Sequence, residues 1–462
     1  MMDKYVFSPQ KIIVWLCSLG IPALILCIPT TELFTTDMRL FLVITTMAIL
    51  FFAFGNVNQS AVAFSLPVAY VLFGIADTAT AYQPWTMTTL WMVAGSTILV
   101  NVLNSSGILE RISYKIILLT GGTYRGIIFG LGILGIILNI ILFGVGYVPL
   151  AAIAYGLCRT MELGKSKAAA GIFLAAAVSG LIPGICCYGV YIIMLEGFGA
   201  PVTGPMSIGW LDFTFMNLPL FLYFFLALVL VLVMFKSDRT FNTKAYFVQK
   251  AAELGPLTAK EKKAAFFIIV LLAYVISCGF TGLDSTWAFI VIPMLMFLPG
   301  IGIGTEKNFQ EFDFGFILFF AGCMAVGIVA GGLGFGQLVT VLTEPLISSQ
   351  PPGILIMLIC LVNIVLNFLL TPMAIMAGFT PTFVQLGLNA GINPYIIYIV
   401  EACGADQIIF PYEYPLYMFF FSFGFISMKD FIKYFSAKMV LSVLVIALIA
   451  IPFWKLTGLL ML

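Results

Sequence analysis

Long apolar runs separated by short polar segments make up most of this chain. A membrane-spanning helix needs about 20 predominantly apolar residues, and we predict about 11 such crossings. The predicted crossings are 12–30, 39–55, 60–76, 86–104, 168–197, 213–235, 264–282, 285–303, 315–335, 395–427 and 434–454. This pattern predicts an all-α polytopic membrane protein, in which stretches 168–197 and 395–427 are broken helices.

Two further apolar stretches are too long for a single crossing. Residues 126–158 contain Phe-Gly-Val-Gly at 143–146, and residues 353–388 contain Thr-Pro-Met at 371–373. Irregular backbone at membrane depth persists only where protein or a cavity satisfies its polar groups. We therefore predict that both stretches are re-entrant hairpins.

The basic residues predict the orientation of the chain. The polar segment 236–263 holds seven of the 21 Lys and Arg residues and separates two halves, 1–235 and 264–462. With a cytoplasmic N-terminus, 19 of the 21 fall on the cytoplasmic side, Lys438 among them. Lys and Arg are enriched in cytoplasmic loops because they resist translocation. We predict an integral protein of the cytoplasmic membrane with its N-terminus in the cytoplasm.

The two halves repeat. Gly107 recurs 227 residues later as Gly334, and Asn139 recurs 228 residues later as Asn367. The common offset and the paired hairpins and broken helices predict an internal repeat. An odd number of crossings separates corresponding elements, so we predict inverted topology. Paired interrupted segments in inverted halves indicate a substrate site near the bilayer midplane.

Composition excludes several classes of protein. Only 9% of residues are charged, against about 25% in soluble domains. The net charge of +1 suggests no nucleic-acid partner, and histidine is absent. The cysteines form no metal-binding spacing, and the chain has neither a nucleotide-binding loop nor a recognisable nucleophile with its base. We therefore predict no enzyme activity, no metal site and no cofactor other than H⁺ or Na⁺ as a coupling ion.

Three acids stand out in a segment of 121 residues, 308–428, that has no Lys, Arg or His. Glu401, Asp406 and Glu413 have no basic neighbour in sequence to neutralise them. An ionisable group at membrane depth is costly unless it is paired, protonated or in a water-filled cavity. We predict that these acids couple transport to protons or a cation, with Glu413 as the main residue and Glu401 near the water interface.

Two segments carry a resemblance to a known family. WMVAGSTILVNVLNSSGILERI at 91–112 and FPYEYPLYMFFFSFGFISMKDFIK at 410–433 resemble the fourth span and the tenth, broken helix of the divalent anion/sodium symporter family, part of the ion transporter superfamily. The order of elements is similar over most of 86–454. The chain departs from the family at both hairpin tips, which lack the usual Ser-Asn-Thr, and at 414–417, where Tyr-Pro-Leu-Tyr replaces Thr-Pro-Pro-Asn.

The resemblance implies a transport fold, a homodimer and a substrate site at the hairpin tips and helix breaks. Tyrosines at these places would give the site apolar walls with hydrogen-bonding tips. The candidate substrate-binding residues are Asn139, Phe143, Gly144, Tyr147, Cys186, Tyr188, Asn367, Thr371, Pro372, Met373, Tyr412, Tyr414 and Tyr417.

The preferred interpretation is a secondary transporter of a small organic anion of the carboxylate type. It would work by alternating access of the elevator type, coupled to protons or sodium. Two alternatives remain open: a cation/proton antiporter, for which buried acids suffice, and a membrane scaffold or sensor that transports nothing.

Overall fold

In the part of the chain that the structure describes, the fold is helical throughout. The computed structural model describes residues 9–54, 57–119, 123–142, 146–204, 206, 208–237, 244–281, 286–335, 337–338, 341, 350–368 and 371–462. The helices are α1 (Pro9–Ile25), α2 (Thr36–Phe54), α3 (Gln59–Leu72), α4 (Thr78–Ala81), α5 (Thr88–Ser106), α6 (Ile108–Leu119), α7 (Tyr124–Ile141), α8 (Tyr147–Thr160), α9 (Lys167–Cys186), α10 (Val190–Thr203), α11 (Trp210–Met216), α12 (Leu218–Met234), α13 (Lys244–Glu253), α14 (Ala259–Thr281), α15 (Thr286–Leu295), α16 (Glu306–Gln310), α17 (Phe314–Gly332), α18 (Pro352–Asn367), α19 (Pro372–Asn389), α20 (Pro394–Ala405), α21 (Pro415–Ser422) and α22 (Met428–Leu456). Helix α22 contains a π-helical segment at Ile446–Ala450.

Four of the described helices are long and apolar enough to cross a membrane, judged by length and composition. They are α7, α9, α17 and α22, with 18, 20, 19 and 29 residues. Two bent pairs raise the number to six if each pair is one span: α5 with α6, bent by 71°, and α11 with α12, bent by 59°. Other apolar helices have 10–17 residues, so α3 and α15 are shorter than the predicted crossings 60–76 and 285–303.

Each half contains a helical hairpin packed against a broken helix. Helices α7 and α8 pack against α9, and α18 and α19 pack against α20. The first broken helix stops at Cys186 and resumes at Val190, and the second stops at Ala405 and resumes at Pro415. Pro415 begins α21, where its missing amide hydrogen is not needed. The helix breaks lie inside the predicted stretches, whereas the re-entrant path of the hairpins stays a prediction.

Two glycines at the repeat offset share an unusual conformation. Gly107 follows α5 with φ 83°, and Gly334 follows α17 with φ 74°. Glycine adopts this left-handed region without the steric cost that a Cβ brings. The packing is also reciprocal, because α5 lies against α15 and α17 lies against α3. These features support an internal repeat, and its inverted direction in the membrane stays a prediction.

Helix α9 is enclosed by protein along its length. Every residue from Ala168 to Cys186 is buried. A Cβ on Gly135 of α7 would lie 2.2 Å from the carbonyl oxygen of Ser179, and a Cβ on Gly180 would lie 2.8 Å from the Cβ of Tyr147. Small residues let helix backbones approach closely in membranes. Glycine at these contacts therefore allows the first hairpin to lie directly on α9.

The segment 236–263 is attached to α6. Arg111 Nε donates to Glu261 Oε1 at 2.9 Å, and Arg111 Nη1 donates to the carbonyl oxygen of Gly255 at 2.8 Å. The hydrogen bonds from Arg111 lower the pKa of the Glu261 carboxyl below its ordinary value, because they stabilise the charged form. The segment between the two halves is thus fixed to the first half.

Candidate functional site

Two asparagines join the hairpins to the broken helices in the same way. Asn139 Nδ2 donates to the carbonyl oxygens of Ser179 and Gly180, at 3.3 Å each. Pro183 has no amide hydrogen, so the Ser179 carbonyl lacks its usual helical partner. Asn367 Nδ2 donates at 2.9 to 3.1 Å to three carbonyl oxygens at or just beyond the end of α20, where helical carbonyls also lack partners. Both predicted substrate-binding asparagines therefore hold a hairpin to a broken helix.

An ion pair lies at the second break. Lys438 Nζ of α22 is 2.7 Å from Asp406 Oδ2, and it also donates to the Asp406 carbonyl oxygen at 2.8 Å and to Gln407 Oε1 at 3.4 Å. The Tyr417 hydroxyl donates to Asp406 Oδ1 at 2.8 Å. Lys438 is fully buried, and Asp406 is 3% exposed. Each charge thus has its hydrogen-bonding groups occupied, as a buried ion pair requires.

The position of Lys438 corrects two predictions. It was counted among the cytoplasmic residues, yet it is buried ten residues inside α22, about 15 Å along a helix axis. Glu401, Asp406 and Glu413 were also predicted to have no basic partner, because the segment 308–428 contains no Lys, Arg or His. Lys438 reaches Asp406 because α22 folds back beside the break. A lysine inside the apolar run 434–454 was the signal for this, since such residues usually face a protein interior.

A small cavity adjoins the ion pair. It measures about 10 Å³, room for roughly one water molecule. Its walls come from both broken helices and from the start of α19. The lining residues include Leu181, Ile185, Tyr191, Pro372, Asp406 and Tyr414. The Asp406 carboxylate, the hydroxyl groups of Tyr191 and Tyr414, and apolar side chains therefore come together where the two helix breaks meet. The site is closed in this conformation.

The predicted tyrosines separate into two groups. The Tyr414 hydroxyl is hydrogen-bonded to that of Tyr191 across the two halves, and the Tyr147 ring packs edge-on against Phe419 of α21. Tyr417 contacts Asp406, as described above. Tyr188 instead donates to Glu196 Oε2 at 2.8 Å, away from this cluster.

Glu196 was missed by the sequence analysis. Its other oxygen, Oε1, accepts from Tyr395 at 2.7 Å, so this half-buried carboxylate of α10 links the first broken helix to the start of the second. The first half therefore also carries an ionisable group inside an apolar stretch. A single glutamate inside the apolar stretch 168–197 could have indicated it.

The other two acids lie in different surroundings, and only the predicted position of Glu401 is wrong. Glu413 is 3% exposed and accepts from the amides of Ile409 and Phe410, at 2.9 and 3.1 Å. It therefore caps the 3-10 turn Pro411–Glu413 within its own loop. Glu401 was predicted near the water interface, but none of its side chain is exposed. The reason is that α20 is packed on several sides by protein, including α10, α18 and α19.

The remaining candidate substrate-binding residues lie near a helix break or outside the described residues. Cys186 is buried at the end of α9, where the first helix break begins. Pro372 begins α19 and lines the cavity, whereas Thr371 precedes that helix and Met373 packs against the apolar core. Outside the described residues lie Phe143, Gly144 and the side chain of Tyr412.

Metal ligands do not cluster in this site. Within the described residues, no group of three or more His, Cys, Asp or Glu side chains could hold a metal ion. Among the side chains of the residues that line the cavity, those of Asp406, Tyr191 and Tyr414 carry oxygen atoms.

Comparison with known proteins identifies the family. The sequence model of the citrate transporter family matches residues 49–404, more than three quarters of the chain. The chain belongs to the citrate transporter family. Members of this family are transporters, so the prediction that the protein is not an enzyme is confirmed. The resemblance to the ion transporter superfamily is confirmed at that level, and the narrower divalent anion/sodium symporter assignment is not.

Solved structures of two transporters share the fold of this citrate transporter family member. YdaH of Alcanivorax borkumensis has a TM-score of 0.57 at 12% identity, covering 97% of this chain and 98% of that one. MtrF of Neisseria gonorrhoeae, described as illuminating a class of antimetabolite efflux pumps, has a TM-score of 0.57 at 17% identity, covering 83% and 84%. A comparison with curated proteins found no match. The protein is thus a polytopic integral membrane protein and a secondary transporter.

Proposed function

We propose that this protein transports a small organic anion of the carboxylate type and that protons drive the transport. The observation that carries the proposal is the buried Asp406–Lys438 pair beside a cavity at the meeting point of both helix breaks. Burying two charges brings no net stability over an apolar pair. A role in transport therefore explains the presence of this ion pair better than a role in folding does. The family's description as citrate transporters supports a carboxylate substrate.

The pair gives a simple route to coupling. When Asp406 takes up a proton, its attraction for Lys438 falls and the ammonium becomes available to a substrate carboxylate. A charge-assisted hydrogen bond of this kind contributes about 1.5–3 kcal/mol. Loss of the proton on the other side restores the Asp406–Lys438 pair and displaces the anion. Proton and anion therefore move in the same direction.

Access to the site requires movement, because the present cavity holds about one water molecule. We infer alternating access of the elevator type. Two features of the packing support this mechanism. Each hairpin packs on a broken helix, whereas α5 pairs with α15 and α3 pairs with α17.

The test is uptake of labelled citrate, malate and succinate into proteoliposomes, with an imposed pH gradient or a sodium gradient. Wild-type protein should accumulate at least one of these anions when the outside is acidic. K438M should lose more than about tenfold in uptake and in substrate affinity, because it removes a charge-assisted contact. D406N should lose the response to the pH gradient, because an asparagine at position 406 cannot take up or release a proton.

The matched control is K433M, because Lys433 is exposed on the same helix, and it should transport as wild type does. Wild-type uptake by K438M would refute the role of Lys438. Sodium exchange driven by pH without anion uptake would support the cation/proton antiporter instead. No flux of either kind in well-folded protein would support the scaffold or sensor.

We also propose the orientation and assembly implied earlier: a cytoplasmic membrane protein with its N-terminus and 236–263 in the cytoplasm, forming a homodimer. A cysteine at position 250, in a background lacking the native cysteines, should resist impermeant thiol reagents added outside intact cells. Labelling from outside would refute the orientation. A monomer by light scattering in mild detergent would refute the dimer.

A further inference from the structure

Glu401 is an isolated acid in the protein interior. It lies on α20, five residues before Asp406, and is fully buried. Its Oε1 is 2.9 Å from Thr380 Oγ1 of α19, whereas Oε2 has no hydrogen-bond partner within the described residues. The ion pairs found in that part of the chain do not include it. A buried carboxylate with so few partners would be very costly in its charged form.

The Thr380 hydroxyl determines which group donates. Threonine has one hydroxyl hydrogen and two lone pairs. Thr380 Oγ1 lies 2.5 Å from the carbonyl oxygen of Met376, one turn earlier in α19, and a carbonyl can only accept. The single hydroxyl hydrogen can serve only one of these two contacts, and the contact with Met376 is the shorter. With its hydrogen there, Thr380 offers only lone pairs to Glu401. The 2.9 Å contact is then a hydrogen bond donated by Glu401, which requires a proton on Oε1.

Among the described residues, no ion pair joins Glu401 to a basic side chain of a neighbouring helix. On α20, Tyr398 is buried, and the Tyr395 hydroxyl donates to Glu196 of α10 at 2.7 Å. Glu196 is half-buried. Lys438 of α22 is held by Asp406. Other titratable groups on the described helices packed against α20 are Lys167 and Cys186 of α9, Tyr191 of α10 and Cys360 of α18.

The geometry points to Glu401 as a proton-binding site, separate from the Asp406–Lys438 pair. Glu401 is a neutral carboxylic acid in this closed conformation and releases its proton when movement of α19 and α20 admits water. Its role as a coupling proton rests on the proposed proton-driven transport, but its protonation does not. The sequence analysis had placed this residue near the interface, where a carboxylate would be hydrated and charged.

Infrared difference spectroscopy of the purified protein tests the protonation without any transport. Wild-type protein at pH 7 should show the carbonyl stretch of a protonated carboxylic acid, and E401Q should lose that band. E306Q is the control, because Glu306 is exposed at the start of α16, and it should keep the band. T380V should shift the band to higher frequency, because the acid loses its acceptor. If E401Q does not fold, the frequency shift in T380V tests the assignment of the band to Glu401.

The site is refuted if the wild-type band is absent, if E401Q retains it, or if T380V leaves its frequency unchanged. Coupling is tested by the number of protons moved per substrate in proteoliposomes. E401Q should lower that ratio by about one proton if Glu401 carries a coupling proton, and E306Q should keep it. An unchanged ratio overturns the coupling role. Failure of the proposed function itself would show differently, as a wild-type protein without acid-driven uptake.

Discussion

The two single substitutions at the buried ion pair should have opposite pH dependence. In K438M, Asp406 keeps its burial but loses its counter-ion, so it must take up a proton to remain in the folded protein. Protonating an ordinary aspartate costs about 1.4 kcal/mol for each pH unit above about 3.9. The penalty is therefore at most about 4 kcal/mol at pH 7 and about 1.5 kcal/mol at pH 5, and K438M should become more stable relative to wild type as pH falls.

In D406N the sign reverses, because Lys438 must lose its proton. Neutralising an ordinary lysine costs about 1.4 kcal/mol for each pH unit below about 10.4, so the penalty is at most about 4.6 kcal/mol at pH 7. D406N should therefore gain stability relative to wild type as pH rises. The double variant D406N/K438M removes both charges and should be more stable than either single variant near pH 7.

Thermal unfolding in detergent can be followed with a thiol-reactive dye, because six of the described cysteines are buried. Melting temperatures of wild type, both single variants and the double variant should be compared at pH 5, 7 and 9. D37N and K433M are matched controls at exposed positions. Parallel pH dependence in the two single variants, or melting temperatures equal to wild type at pH 7, would show that Asp406 and Lys438 are not a buried pair in the folded protein.

Further substitutions test the contacts that organise the site. N367A should cost about 1–3 kcal/mol, because it leaves buried carbonyl oxygens at the end of α20 without a donor; a melting temperature equal to wild type would contradict this. G135A should cost about 1–3 kcal/mol by overpacking against α9, whereas G332A, where a Cβ would meet nothing within 4 Å, should not. E261Q should lower the melting temperature at pH 7, and its difference from wild type should shrink as pH falls below about 4.5, since the Arg111 partner lowers the carboxyl pKa.

Local patterns in the sequence were enough to predict much of the fold. Apolar runs interrupted by glycine and proline marked the hairpins and helix breaks, because these residues leave backbone groups unpaired wherever they fall. The recurrence of Asn139 as Asn367 predicted equivalent positions, and both side chains donate to carbonyls of the broken helices. The exact direction of the halves in the membrane was beyond these local signals.

The charge pairing was missed because it depends on tertiary contact. Asp406 and Lys438 are 32 residues apart, and counting charges along the sequence placed Lys438 on a surface. Glu401 was misplaced for a related reason: its distance from a helix end suggested the interface, whereas the packing of α19 against α20 encloses it. Basic partners of buried acids should therefore be sought on neighbouring helices as well as nearby in the sequence.

The complete enclosure of α9 constrains how the protein is assembled during synthesis. An isolated α9 can enter the bilayer on hydropathy alone, since its 20 residues are apolar enough to span. Yet its neighbours include α20 and α21, which the ribosome makes some 200 residues later. Newly inserted α9 therefore faces lipid or a chaperone on sides that protein later covers. As a result, the first half completes its interior only after the second half has entered the membrane.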